Sequence, residues 1–165
     1  MIEWALIFAR DVALAVWLGG LIVIDFIEAP AKFRAPEIDR NQAAAVGRQV
    51  FAAVNQMEVV VGAILLALLL LLNSLATARA VSSGATPRAS VACAGLMWIV
   101  ALAQNFWFRP RISELTRSLD LVNRSAEDRR YTALRRWHIL YVTLDMFKII
   151  LGLLLVGLWT HSVSS

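Results

Sequence analysis

The stretch Val50–Ala76, VFAAVNQMEVVVGAILLALLLLLNSLA, decides how this chain is read. At 1.5 Å per helical residue it is long enough to cross a hydrocarbon core of about 30 Å. Lipid offers the backbone no hydrogen-bond partners, so such a run must be a helix. Its first half is broken by Asn55-x-x-Glu58-x-x-x-Gly62. The run Ile139–Trp159 is broken at the same spacing by Asp145-x-x-Lys148-x-x-x-Gly152. Ionisable groups within a membrane span are costly, and they turn toward a bundle interior where they pair or mark a functional site. The matched spacing predicts that two related hairpins bring these residues to one depth.

Two further apolar runs, Leu6–Ile27 and Val91–Phe108, complete a set of four. Hydrophobic residues make up 59% of the 165 and the mean hydropathy is +0.67, far from the balance of a soluble domain. Four such runs in so short a chain leave no polar outer layer for a soluble bundle. The expected fold is all-α, a polytopic membrane four-helix bundle built from two hairpins, with helices 2 and 4 extended into the cytoplasm. The first run is expected to be retained: its leader carries only Glu3 and Arg10, and Pro30 follows its small-residue exit at Ala29. The single cysteine, Cys93, allows no internal disulfide and reads as a packing residue.

Basic residues set the expected orientation. The first connection carries Lys32, Arg34, Arg40 and Arg48. The third carries Arg109, Arg111, Arg117, Arg124, Arg129, Arg130, Arg135 and Arg136, against Arg79 and Arg88 in the second. The positive-inside rule puts connections one and three in the cytoplasm of a bacterial inner membrane and both termini outside. The pI near 10.0 is thus an orientation signal. Basic residues interleaved with aromatics on a soluble face are absent, so no nucleic-acid partner is expected. The partner is the lipid bilayer, whose anionic headgroups reward juxtamembrane arginines by about 1 kcal/mol each.

The chain reads as one domain, 1–165, with a weak internal repeat between 1–80 and 88–160 across the Ser82-Ser83-Gly84-Ala85-Thr86-Pro87 loop. Asp25-Phe26 with Pro30 corresponds to Asn105-Phe106 with Pro110, and Glu58 with Gly62 to Lys148 with Gly152. A two-span repeat keeps its orientation, which relates the halves by an axis along the membrane normal. From Asn41 the helix-forming sequence runs straight into the second span. Ser125 with Asp128 reads as the cap of a helix continuing through Trp137 to Trp159. Ile112, Leu115, Leu119 and Val122 share one face of a short amphipathic stretch, suited to the membrane surface or, the favoured reading, to packing on these projecting helices.

Residues three and four apart share a helix face. His138, Tyr141, Asp145, Lys148 and Gly152 do so on the fourth span, and Arg48, Phe51, Asn55, Glu58 and Gly62 on the second. Asp25, Glu28 and Lys32 continue a face begun by Asp11, Leu14, Leu18 and Leu21 on the first, and the third offers Asn105 above Ala101 and Trp98. Four carboxylates, Asp25, Glu28, Glu58 and Asp145, face Lys148 and His138; Glu58 or Asp145 is the expected partner of Lys148. Arg48 or Arg109 at the rim is a further expected partner, and any carboxylate left over must be protonated or hold a cation. A register-fixing ion-pair network, a cation, metal or proton site, and a small polar ligand site all stay open. His138 is the one histidine placed as a metal or haem ligand, as an alternative to an interfacial cap near Arg135 and Arg136. His161 is solvated. Met57, Met97, Met146 and Cys93 are soft enough for copper but read as packing. Trp4, Trp17, Trp98, Trp107, Trp137 and Trp159 read mostly as interface belts.

Trp17-Leu18-Gly19-Gly20, Phe26, Ala29-Pro30-x-x-Phe33, Ala45-x-Gly47 and Phe51, then Gln104-x-Phe106-x-x-x-Pro110, His138-x-x-Tyr141, Lys148 and Gly152 resemble a family of four-helix membrane proteins of unknown function typified by transmembrane protein 205. That family is distantly similar to copper-resistance protein D membrane domains and to the membrane protoporphyrinogen oxidase. The resemblance implies haem or copper handling as one line of function, although the first and third spans here hold no histidine. Three functions follow as expectations: a cation-binding or cation-passing membrane protein centred on Glu58, Asp145, Lys148 and His138; an accessory subunit of a larger membrane complex or homo-oligomer; and a haem-dependent oxidoreductase with His138 axial and Lys148 or Tyr141 near its reactive edge. No nucleotide-binding glycine loop or hydrolase triad spacing occurs, which favours a non-enzyme.

Overall fold

A computed structural model describes residues 1–78, 85–122 and 129–164, with side chains described outside 78, 85–87 and 161–164. The Ser82–Gly84 turn, Arg79, Arg124, the Ser125–Asp128 cap and the His161 side chain lie outside what is described. The described elements are helices: α1 (Ile2–Ile22), α2 (Ala29–Arg34), α3 (Arg40–Ala78), α4 (Ala85–Ala103), α5 (Arg109–Arg117) and α6 (Arg129–Ser164). A π-helical turn at Val23–Glu28 joins α1 to α2, and another at Gln104–Phe108 joins α4 to α5. Four helical segments are therefore long and apolar enough to span a membrane, Ile2–Arg34, Arg40–Thr77, Arg88–Arg117 and Arg129–Thr160. The protein is a multi-pass membrane protein.

Both π turns have the same cause. Pro30 and Pro110 carry no N–H, and their rings crowd the carbonyls four residues back, those of Phe26 and Phe106. The helix answers by widening for one turn. The amide of Ala29 then bonds to the Ile24 carbonyl and that of Arg109 to the Gln104 carbonyl, each five residues back and at the same place relative to its proline. The two hairpins thus share a backbone departure as well as a sequence pattern.

The connection after α2 is cut by Pro36, which forces Ala35 out of the helical region, to φ −65° and ψ 121°. A reciprocal cap restarts the chain. Gln42 N–H donates to Asp39 Oδ1 at 2.8 Å while Asp39 N–H donates to Gln42 Oε1 at 2.9 Å. Helix α3 then runs 39 residues and α6 runs 36, about 58 and 54 Å. Each exceeds a bilayer core by several turns, and both overhang at the end that carries connections one and three. Helix α5 packs between them. The segment after it is tied down by Asn41, whose Nδ2 donates to Asp120 Oδ1 at 2.8 Å and whose Oδ1 accepts the Leu121 N–H at 2.7 Å. Ile112, Leu115 and Leu119 are half-buried, whereas Val122 is exposed and Leu121 takes the buried place.

Packing runs in chain order, span one on two, two on three and three on four, with four closing on one. One stripe per span faces in: Leu14, Trp17, Leu18 and Leu21; Asn55, Glu58, Leu65 and Leu69; Ala94, Met97, Ala101 and Gln104; Tyr141, Asp145, Lys148, Leu151 and Leu155. Outward residues such as Val60, Ile99 and Leu153 are more than half exposed, while Glu58 is 1% and Lys148 0% exposed. Apolar outside and charged inside is the arrangement that lipid, as solvent, selects.

Candidate functional site

The buried charges meet where α3 and α6 face each other. On α6, Asp145 and Lys148 are one turn apart, and Lys148 Nζ lies 2.9 Å from Asp145 Oδ1. The same ammonium forms an ion pair with Glu58 Oε1 across the bundle. Lys148 therefore has both carboxylates as partners. Two neutral donors add to them: Trp17 Nε1–H donates to Glu58 Oε1 at 2.9 Å, and Gln104 Nε2–H donates to Asp145 Oδ1 at 3.0 Å and to the Tyr141 carbonyl at 3.2 Å. One step toward the overhanging end, Tyr141 O–H donates to Asn55 Oδ1 at 2.5 Å, its ring edge-on to Phe51. All four spans contribute to this one layer.

Two glycines make the layer possible. A Cβ on Gly62 would stand 2.5 Å from Trp98 Cδ1 and 2.8 Å from Trp17 Cη2, so its absence lets both indoles lie against α3. There Trp98 Nε1–H donates to the Val59 carbonyl at 2.9 Å. A Cβ on Gly152 would run into the Leu18 side chain.

The remaining residues of interest fall elsewhere. Asp25 is half-buried, and its Oδ2 has no hydrogen-bond partner among the described residues; the same holds for Asn105 Oδ1, Glu58 Oε2, Gln104 Oε1 and Asn55 Nδ2. Glu28 is not in the layer: it pairs with Lys32 at 2.8 Å one turn on, and that ammonium also lies 4.9 Å from the Phe51 ring centre. His138 is exposed and lines a cavity at the overhanging end. Asp11, at the far end of the first span, is exposed and paired with Arg10. From span three Gln104, rather than Asn105, reaches Asp145.

Trp17, 0% exposed, is the other contributor that the sequence reading passed over, having placed it in an interface belt. Its signal is the Glu58–Gly62 spacing on the facing helix, an acceptor with a gap one turn beyond it. Two other indoles also have internal partners: Trp159 Nε1–H donates to Ser90 Oγ at 3.0 Å under the Arg10 guanidinium, and Trp137 stands edge-on to Phe108.

Above the layer, Leu14, Leu65, Leu69, Met97, Leu151 and Leu155 close the bundle with an apolar plug. Below it, the cavity of about 670 Å³ reaches Tyr141. The cavity ends at Tyr141, and none of Glu58, Asp145 and Lys148 lines it. The layer holds two carboxylates against one ammonium, an excess of one negative charge before Asp25 is counted. Among the described residues no three His, Cys, Asp or Glu side chains converge as a metal-ligand set.

Residues 12–119 match the model of a family described as a domain of unknown function, DUF4149. No curated protein and no solved structure matches the chain.

Proposed function

The chain belongs to the DUF4149 family, whose description assigns no activity, and from that premise we propose that it is a membrane protein whose Glu58–Lys148–Asp145 triad takes up one small cation, a proton included, from the overhanging end. The observation that carries this reading is the charge imbalance in a dry interior. Lys148 offsets one carboxylate, and Glu58 Oε2 and Asp25 Oδ2 accept no hydrogen bond among the described residues. An uncompensated buried charge costs several kcal/mol, so the layer is completed by a positive charge from outside. The absence of a three-ligand set among the described residues favours a proton or alkali ion over a divalent metal or copper. His138 stands alone at the cavity mouth, which supports a place in its basic wall rather than a haem ligand.

Connections one and three carry most of the arginines, which supports a cytoplasmic opening in a bacterial inner membrane with both termini outside. The shared π turns support an origin of the two hairpins as repeats. The residues that carry the finer family likeness, to transmembrane protein 205, include several that build this layer: Trp17, Gln104, Tyr141, Lys148 and Gly152. Lipid is the expected cover for the outward apolar side chains.

Infrared difference spectra between acidic and alkaline buffer test the proposal on protein in neutral-lipid vesicles. Wild type should show a buried-carboxyl band that sodium diminishes if an alkali ion competes. Glu58→Gln and Asp145→Asn should each remove or shift it. Spectra of both variants identical to wild type would refute the site.

A further inference from the structure

The cavity at the overhanging end has charged lining of one sign. Lys32, Arg40, Arg48, Arg109, Arg117 and Arg135 surround it, and no Asp or Glu does. Lys32 is matched by Glu28. The five arginines have no carboxylate partner among the described residues, and Arg109 Nε is buried without a hydrogen-bond acceptor. They come from α3, α5 and α6 and converge on one space, although like charges so gathered repel. Positive-inside topology explains arginines near a membrane surface; it does not explain five of them around one hollow with no counter-charge among the described residues. The rest of the wall mixes apolar residues, Phe51, Ile112 and Leu134 among them, with the hydroxyls of Ser113, Thr116, Tyr131 and Tyr141, the Gln49 amide and the His138 ring. A volume of about 670 Å³ lies within the range of small-molecule sites.

We infer that this cavity binds a phosphate monoester with an apolar body, held by the guanidiniums of Arg48 and Arg109 and screened by those of Arg40, Arg117 and Arg135. Guanidinium forks match phosphate oxygens in pairs, and several of them favour a dianionic monoester over a singly charged diester. The apolar part of the wall accepts a glycerol backbone or the start of an acyl chain. The same chemistry is presented by a lipid of the phosphatidic acid type and by a soluble phosphorylated metabolite. The site is separate from the buried triad, sharing only Tyr141 at its floor, and does not depend on the triad's role.

Thermal unfolding in a neutral detergent reads the binding, since a ligand specific for the folded state raises the midpoint saturably. Short-chain phosphatidic acid, glycerol 3-phosphate and short-chain phosphatidylcholine are the probes. Phosphatidic acid should raise the midpoint and phosphatidylcholine should not. A comparable rise with glycerol 3-phosphate assigns a soluble ligand, and a rise with the lipid alone assigns the headgroup together with its tail. Arg48→Ala with Arg109→Ala should weaken binding by about tenfold or more. Arg111→Ala, exposed and outside the lining, should leave it unchanged. Should the first pair fail to fold, Arg40→Ala with Arg117→Ala, both exposed, must weaken binding in its place. Equal responses to phosphatidic acid and phosphatidylcholine, or equal losses in the Arg111 and cavity variants, overturn the inference.

Discussion

Replacing Lys148 by Met retains the aliphatic stem and removes the only ammonium in the charged layer. Glu58 and Asp145 are then left facing each other, 1% and 2% exposed, with no cation between them. Removing one partner of a buried ion pair costs about 3–5 kcal/mol. The low end, about 3 kcal/mol, applies here because Trp17 and Gln104 still donate to the two carboxylates. Glu58→Gln is a different change. The amide oxygen can still accept from Trp17 and Lys148, and Lys148 keeps Asp145 at 2.9 Å. One ammonium then faces one carboxylate, and the expected cost is about 1 kcal/mol or less. The two substitutions should be non-additive, with Lys148→Met costing about 1–2 kcal/mol less in the Glu58→Gln background, because only one carboxylate is then stranded. Equilibrium unfolding in mixed micelles, followed by tryptophan fluorescence and circular dichroism, measures all four corners of the cycle. A Lys148→Met protein within about 1 kcal/mol of wild type, or the same penalty in both backgrounds, would show that Lys148 is not the counter-charge of this layer.

The glycine contacts predict that Gly62→Ala costs about 1–3 kcal/mol through forced displacement of Trp17 and Trp98, while Gly19→Ala, with nothing within 4 Å of its new Cβ, is neutral or stabilising in the same unfolding assay. Tyr141→Phe should cost about 1–3 kcal/mol, since the buried Asn55 amide loses its one described partner; an Asn55→Leu background should abolish that cost, and an undiminished penalty there would contradict the assignment.

Much of the architecture was legible because lipid reverses the usual pattern. Apolar length alone marks the spans, and the few polar residues inside them mark the inward faces. Asn55 with Glu58 and Tyr141 with Asp145 and Lys148 could be put on single stripes by counting threes and fours. The same counting was ambiguous on span three, where Ala101 belongs both to the stripe ending at Asn105 and to the one ending at Gln104. Nothing but packing against Asp145 selects the second. Trp17 was hidden by the habit of reading indoles as interface anchors, although an indole N–H satisfies a carboxylate equally well inside. His138 shares the face of Tyr141, yet it opens onto the cavity between α3, α5 and α6 and stays exposed, so periodicity there does not mean burial. The π turns were foreshadowed only as a shared Phe-x-x-x-Pro spacing, whose backbone consequence appears in three dimensions.

The oily exterior and charged interior of the bundle also govern how it comes apart. Acyl chains cover Val60, Ile99 or Leu153 equally well on separated helices and on assembled ones, so the water-driven collapse that closes a soluble protein is missing between the spans. Closure falls to the clasp of Trp17, Glu58, Gln104, Asp145 and Lys148. Loosening that clasp would separate the spans without first melting them, leaving four intact rods adrift in the same bilayer.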